Sequence, residues 1–158
     1  MFRIASLAVF ACVAGCGFQL QGAMTTPTAM ERTYIATANR YSPFYREFNA
    51  TLRAAGVNIV DSPTDATATF TISYDETDQR VLSVSARNVP TEYEVYYTIQ
   101  YTLDTSTDTL LEAQTLTLTR DYTYDSTLVL GKAHEEAQLR EAIVDDLVRI
   151  VLKQISTL

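Results

Sequence analysis

Histidine and cysteine are nearly absent from this 158-residue chain, which has one histidine, His134, and two cysteines, Cys12 and Cys16. Zinc chemistry of the metalloprotease kind needs two histidines a helical turn apart, so that both reach one ion. His134-Glu135-Glu136-Ala137-Gln138 begins such a pattern but ends in glutamine, which removes the second ligand. His134 then reads as a solvated residue, and no metal site is expected. No G-x-S-x-G elbow and no phosphate loop occurs, so two local signatures of nucleophilic and phosphate chemistry are missing. No apolar run approaches the ~20 residues that a helix needs to cross a bilayer. Basic residues are outnumbered 12 to 19, for a net charge of −7. Such a chain is a poor nonspecific binder of nucleic acid or anionic lipid, and an anionic ligand must meet a local basic cluster. Internal repeats and a low-complexity tail are also absent.

The N-terminus carries the most specific signal. Arg3 precedes an apolar run, Ile4 to Val13, of about ten residues, the length of a secretory h-region. Val13-Ala14-Gly15-Cys16 follows at once and has the form of a lipobox: a branched apolar residue, two small residues, then cysteine. Small residues let an extended backbone enter a peptidase cleft, and the cysteine thiol takes a diacylglycerol before the cut. Residues 1–15 are therefore expected to be a lipoprotein signal peptide, with Cys16 as the lipid attachment site. Cys12 leaves with the signal, so Cys16 has no partner for an intrachain disulfide, and acylation accounts for the unpaired thiol. Each buried CH₂ of an acyl chain contributes about 0.8 kcal/mol to membrane attachment. Loss of Arg3 takes the mature charge from −7 to −8. The remaining chain, about 140 residues, suits one domain. Residues 16–30 read as an acylated N-terminus and tether, broken by Thr25-Thr26-Pro27-Thr28, and 31–158 as a single α/β domain.

Within that domain the order is strand, helix, strand, several strands, helix. Thr33-Tyr34-Ile35-Ala36-Thr37 reads as a first strand. Ser42-Pro43 offers an N-cap and a proline at the first helical position; Phe44, Phe48, Leu52 and Ala55 recur at helical spacing, and Gly56 closes the helix. Val57 to Val60 is a short second strand. Ala68, Phe70, Ile72 and Tyr74 then alternate with threonine and serine, and Arg80, Leu82, Val84 and Ala86 alternate with Val81, Ser83, Ser85 and Arg87. The cleanest alternation is Tyr93, Val95, Tyr97, Ile99, Tyr101 and Leu103, with Glu92, Glu94, Tyr96, Thr98, Gln100 and Thr102 on the other face. That tyrosine row reads as sheet–helix core. A last strand runs from about Thr109 to Tyr124, marked by Leu110, Leu116 and Leu118. From about Ala133 a long helix carries an apolar stripe of Ala137, Ile143, Leu147, Ile150, Val151 and Ile155. Glu135 and Glu136 are expected in its first turn and Lys153 near its end, both favourable to the helix dipole. The economical architecture is α+β: a two-layer sandwich with a mostly antiparallel sheet of roughly four to five strands and two helices on one face. The other face, rich in Tyr, Thr and charge, stays available to water, a ligand or a partner.

Carboxylates are plentiful, as at Glu92/Glu94 and Asp145/Asp146. Glu92 and Glu94 share a strand face, so an acid–base pair is geometrically possible, but a solvated sheet face is the simpler reading. A non-enzymatic binding or assembly role is expected, with no catalytic residues and no cofactor beyond the covalent acyl lipid on Cys16.

Together these segments resemble the LPS-assembly lipoprotein (LptE) family of Gram-negative outer membranes. Cys16-Gly17-Phe18-Gln19-Leu20-Gln21 resembles that family's start. Leu52-Arg53-Ala54-Ala55-Gly56-Val57 resembles the end of its first helix. Thr91-Glu92-Tyr93-Glu94 resembles its small-Glu-Tyr-Gln strand opening, and Leu130-Gly131-Lys132-Ala133-His134-Glu135-Glu136 the run that opens its last helix. The resemblance implies a domain that plugs the LptD outer-membrane β-barrel, supports its assembly and contacts lipopolysaccharide on its way to the outer leaflet. It implies lipid anchoring at the periplasmic face of the outer membrane and no nucleic-acid partner. Basic side chains are needed for a phosphorylated glycolipid, and Lys132 and Arg87, the latter in an Arg87-Asn88 pair, match the family's candidates. Pro90 shifts the register behind Arg87, and Gln21 stands where the family has a basic residue. The alternative is the auxiliary lipoprotein of a lipid-transport ABC system.

Overall fold

The computed structural model of the protein describes residues 26–124 and 129–158. Residues 1–15, expected to be a signal peptide, and Cys16 lie outside the described residues. A 3-10 turn, Thr28–Met30, leads into strand β1 (Arg32–Thr37), helix α1 (Pro43–Ala54) and strand β2 (Asn58–Val60). A second 3-10 turn, Pro63–Asp65, precedes three long strands: β3 (Ala68–Val84), β4 (Pro90–Thr105) and β5 (Thr109–Thr123). Helix α2 (Val129–Ile155) is last. The five strands form one sheet in the order β2-β1-β3-β4-β5. β1 runs parallel to both neighbours, and β3, β4 and β5 are antiparallel. Both helices cover one face, giving the expected α+β two-layer sandwich with a mostly antiparallel ladder. Met30 is fully buried in the core.

Helix α1 forms as its end signals dictate. Ser42 caps it, its hydroxyl accepting from the Tyr45 N–H at 3.1 Å, and Pro43 takes the first position. Phe44, Phe48 and Leu52, four residues apart, turn one face into the core. At the other end the Val57 N–H donates to the Leu52 carbonyl and the Gly56 N–H to that of Arg53, a Schellman closure. It needs a left-handed residue, supplied by Gly56 at φ +89°. Phe48 then packs on Phe70 (ring centroids 4.4 Å) and Phe70 on Tyr101 (5.4 Å), joining α1 to the centre of the sheet.

The β4 alternation is realised in full: Val95, Tyr97, Ile99, Tyr101 and Leu103 are buried under the helices. In β3 the alternation breaks. Ile72 pairs with Tyr101, but the next partners are Tyr74 and Gln100, so a bulge at Ser73 absorbs one residue. Because strand side chains have period two, that one extra residue exchanges the faces. Tyr74, expected beside Ala68, Phe70 and Ile72, points instead to the open face, 44% exposed, with its hydroxyl on Glu76. Asp75, Thr77 and Gln79 turn toward the helices. β3 is also one continuous strand of 17 residues rather than two segments. It stops at Val84, so Ala86 and Arg87 sit in the hairpin turn and not on a strand. Asn88, left-handed at φ 58°, makes that turn.

Helix α2 starts at Val129, earlier than Ala133, so its first turn holds no acidic residue. Glu135 and Glu136 fall in the second turn, where Glu136 pairs with Arg140 one turn on, at 2.8 Å. The buried stripe is wider than expected: Ile143, Val144, Leu147, Val148, Val151, Leu152 and Ile155, while Ala137 and Ile150 are exposed. A helix lying across a sheet buries neighbouring positions on both sides of its central row. Among the described residues no helix is long and apolar enough to cross a membrane.

Candidate functional site

The Ser73 bulge puts polar groups between sheet and helices, and each finds a partner there. The Tyr97 hydroxyl donates to Asp75 Oδ1 at 2.6 Å and accepts from the Phe44 N–H at 3.3 Å; Ser42, the α1 cap, donates its hydroxyl to Asp75 Oδ2. Burial first, then the Asp75 carboxylate, raises the Tyr97 pKa above the ordinary phenol value. Further along, Arg140 of α2 reaches Thr77, and the Tyr122 hydroxyl donates to Gln79 at 3.0 Å. Arg120, on the inward face of β5, pairs with Asp146 of α2, which also holds Arg149. Tyr101 donates to Gln154 at 2.6 Å, and burial raises its pKa. These contacts pin the helices to the sheet at fixed register.

The opposite face of the sheet is uncovered. Thr98 and Thr117 share a hydroxyl contact at 2.9 Å, and Gln100 donates to Thr115 at 3.1 Å. The guanidinium of Arg80 lies over the Tyr96 ring, 5.8 Å from its centroid. It also lies 2.5 Å from Glu94 Oε2, off the line of an N–H, so that pair is electrostatic. Glu94 is largely buried by its neighbours, although it was expected on a wet face. Glu92 accepts from Ser83 at 2.8 Å. The two glutamates thus serve different partners and form no acid–base pair.

The remaining sequence candidates separate. Arg87 is exposed at the apex of the β3–β4 hairpin. Lys132 falls on the first turn of α2, with its side chain outside the described residues. The two are brought toward one end of the molecule: Tyr124 N–H donates to the Thr91 carbonyl at 2.8 Å, and Glu135 lines one cavity with Leu82, Glu92 and Tyr122. His134 is exposed, and among the described residues no group of His, Cys, Asp or Glu could hold a metal ion. A groove of about 540 Å³ between the helices, floored by Ala50, Ala137 and Val144, carries Arg46 and Arg140. The sequence reading missed this groove and the seam. Arg120, a charge amid the inward row Leu116, Leu118 and Tyr122, was the visible signal for the seam.

Comparison with known proteins agrees with this architecture. The family model described as LptE, lipopolysaccharide-assembly, matches residues 30–155. The chain belongs to the LptE family. It is similar to the LPS-assembly lipoprotein LptE of Yersinia enterocolitica, 32% identical over 89 residues. That alignment covers 55% of this chain and 42% of the relative, so the chain spans less than half the length of the curated relative it matches. Among solved structures, an uncharacterized lipoprotein B from Nitrosomonas europaea superposes with a TM-score of 0.74 at 26% identity, covering 89% of this chain and 90% of that one. The rare lipoprotein B from Shewanella oneidensis gives 0.69 at 20% identity, over 80% and 94% of the two chains, and shares the fold. The family match therefore runs from Met30, the last residue of the first 3-10 turn, to Ile155 at the end of α2.

Proposed function

We propose that this LptE-family chain is a lipopolysaccharide-assembly lipoprotein of the Gram-negative outer membrane. Its signal, residues 1–15, is removed, and acyl chains on Cys16 hold the domain at the periplasmic face. The domain sits in the lumen of the LptD barrel, supports that barrel's assembly and helps deliver lipopolysaccharide to the outer leaflet, without catalysing a reaction. The observation that carries this reading is the family match across residues 30–155. The open sheet face supports it: a wide surface of threonine, tyrosine and glutamine makes hydrogen bonds without a deep pocket, which suits a plug better than an enzyme. Arg87 and Lys132 supply cations for lipopolysaccharide phosphates, in a chain whose overall charge of −7 opposes general anion binding.

The test is what the full-length lipoprotein retains when purified from membranes in mild detergent. A large β-barrel in stoichiometric amount is the expected result. An inner-membrane ABC transporter in its place would establish the auxiliary-lipoprotein reading instead. Lys132→Glu and Arg87→Glu test the ligand contacts: lipopolysaccharide binding unchanged in both makes them ordinary surface cations.

A further inference from the structure

The helix layer carries a groove of about 540 Å³ between α1 and α2. Ala50 of α1 and Ala137 of α2 lie exposed along it, and Val144 of α2 is its buried apolar floor. Helix axes pack about 8–10 Å apart, depending on the side chains between them, so two exposed alanines leave room for a further backbone to come close. Arg46 stands on the α1 rim, and Glu141 and Asp145 stand on the α2 rim, all three exposed. Glu47, also on the α1 rim, is turned along its own helix to Thr51, 3.2 Å away.

The rim charges are left uncompensated. The cations of α2 nearest the acidic pair are held elsewhere: Arg140 by Glu136 and Thr77, and Arg149 by Asp146. Among the described residues, no hydrogen bond or ion pair engages the side chain of Arg46, Glu141 or Asp145. Glu141 and Asp145 are one helical turn apart, about 6 Å along the axis, a spacing at which like charges destabilise a helix. A partner with two cations at the same spacing relieves that repulsion, and an anion on its other side meets Arg46. Its surface between them must be small or apolar, to lie on Ala50, Ala137 and Val144. A helix presents such flanks and seam together, because its side chains point all round its axis. An extended strand has only two faces and cannot turn cations, an anion and a seam three ways at once.

We propose that the groove between α1 and α2 receives one amphipathic helix of a partner protein. Lys or Arg at positions i and i+4 of that helix face Glu141 and Asp145, an acidic residue faces Arg46, and a seam of small and apolar residues lies on Ala50, Ala137 and Val144. The groove belongs to the helix layer, on the other side of the domain from the uncovered sheet face. The proposal therefore rests neither on the barrel reading nor on the lipopolysaccharide contacts of Arg87 and Lys132.

The probe is a fluorescent synthetic helix of about 20 alanine-rich residues, long enough to be helical alone. It carries a leucine–alanine seam, a lysine pair four residues apart on one flank and glutamate on the other. A second peptide has glutamate in place of both lysines, and a third is the first with proline at its centre. Anisotropy measures their binding to the full-length lipoprotein in non-ionic detergent at low salt. The lysine peptide should bind about tenfold more tightly than the all-acidic one, the scale of two exposed ion pairs turned to repulsions, and added salt should narrow the gap. The proline peptide should bind at least about tenfold more weakly than the unbroken helix. Glu141→Lys with Asp145→Lys, both at exposed positions, should reverse the preference between the first two peptides. Ala137→Trp, which fills the groove from an exposed position, should abolish binding of the lysine peptide. No binding of the lysine peptide, equal binding of the acidic one, or a preference unchanged in the double-lysine variant overturns the proposal. Binding that survives Ala137→Trp puts the peptide elsewhere and overturns the site, and equal binding of the proline peptide overturns the helix as its occupant.

Discussion

Asp75 is the residue on which the join between helix and sheet depends, and removing it has a calculable cost. Its carboxylate accepts from the buried Tyr97 hydroxyl at 2.6 Å and from the hydroxyl of Ser42, which also caps α1. Hydrogen bonds to a charged group contribute about 1.5–3 kcal/mol each, and a donor left buried without a partner costs about 1–3 kcal/mol. Asp75 is half-buried, so some of this is recovered by water. Asp75→Ala should therefore destabilise the domain by about 2–4 kcal/mol, and Asp75→Asn, which keeps an acceptor for Tyr97, by about half that. Tyr97→Phe removes one donor and leaves the Phe44 N–H without its acceptor, at about 1–2 kcal/mol. The Asp75→Ala/Tyr97→Phe double mutant should then lose about 1–2 kcal/mol less than the sum of the singles. Urea unfolding followed by circular dichroism measures all four proteins. Strict additivity, or an Asp75→Ala cost under about 0.5 kcal/mol, the scale of ordinary surface changes, would show that the network does not hold α1 to the sheet.

Other outcomes follow from the same geometry. Gly56→Ala should cost about 1 kcal/mol or more in urea unfolding; a Cβ there meets nothing within 4 Å, so the cost is the strain of φ +89° and not a clash. Phe70→Ala, in the fully buried Phe48–Phe70–Tyr101 row, should cost about 3–5 kcal/mol, and a loss below about 1 kcal/mol would deny that row its place in the core. Tyr97 and Tyr101 hold their protons more tightly folded than unfolded, so their contribution is full below the ordinary phenol value near 10 and is lost as pH rises through it toward their raised values. Alkaline titration of phenolate absorbance should leave these two behind the exposed tyrosines until the protein unfolds. All ten ionising together in a native protein would contradict their burial.

The parts of this architecture legible from sequence are those written in local chemistry. Ser42, Pro43 and Gly56 mark the ends of α1 because capping and left-handed closure each demand a particular residue type. The row Tyr93 to Leu103 announces β4 because one face is covered throughout. The Ser73 bulge is not visible in this way. It depends on pairing with β4 residues 27 positions away, and shifting the register by one sends Tyr74 out and Asp75 in. The parallel pairing of β1 with β2 and β3 is likewise set by the α1 crossover and not by side-chain pattern. The early start of α2 was not legible because Gly131, a poor helix former, interrupts Leu130-Gly131-Lys132. Arg87 reads from sequence as part of a strand, whereas the turn around Asn88 lifts it to the apex. The exposure of Val81, Leu82 and Val84 was obscured because alternating Val and Leu read as a buried strand face.

The most direct test of the proposed role is a photo-reactive amino acid at Thr98, at the centre of the uncovered sheet face, in the full-length protein in living cells. Thr98 contacts Thr117 and neither helix, so the exchange leaves the core intact. Irradiation should yield one adduct with an outer-membrane β-barrel protein, and the same exchange at buried Ile99 should yield none. An adduct with an inner-membrane transporter component, or no adduct from Thr98 while the protein is folded and membrane-bound, would contradict the plug.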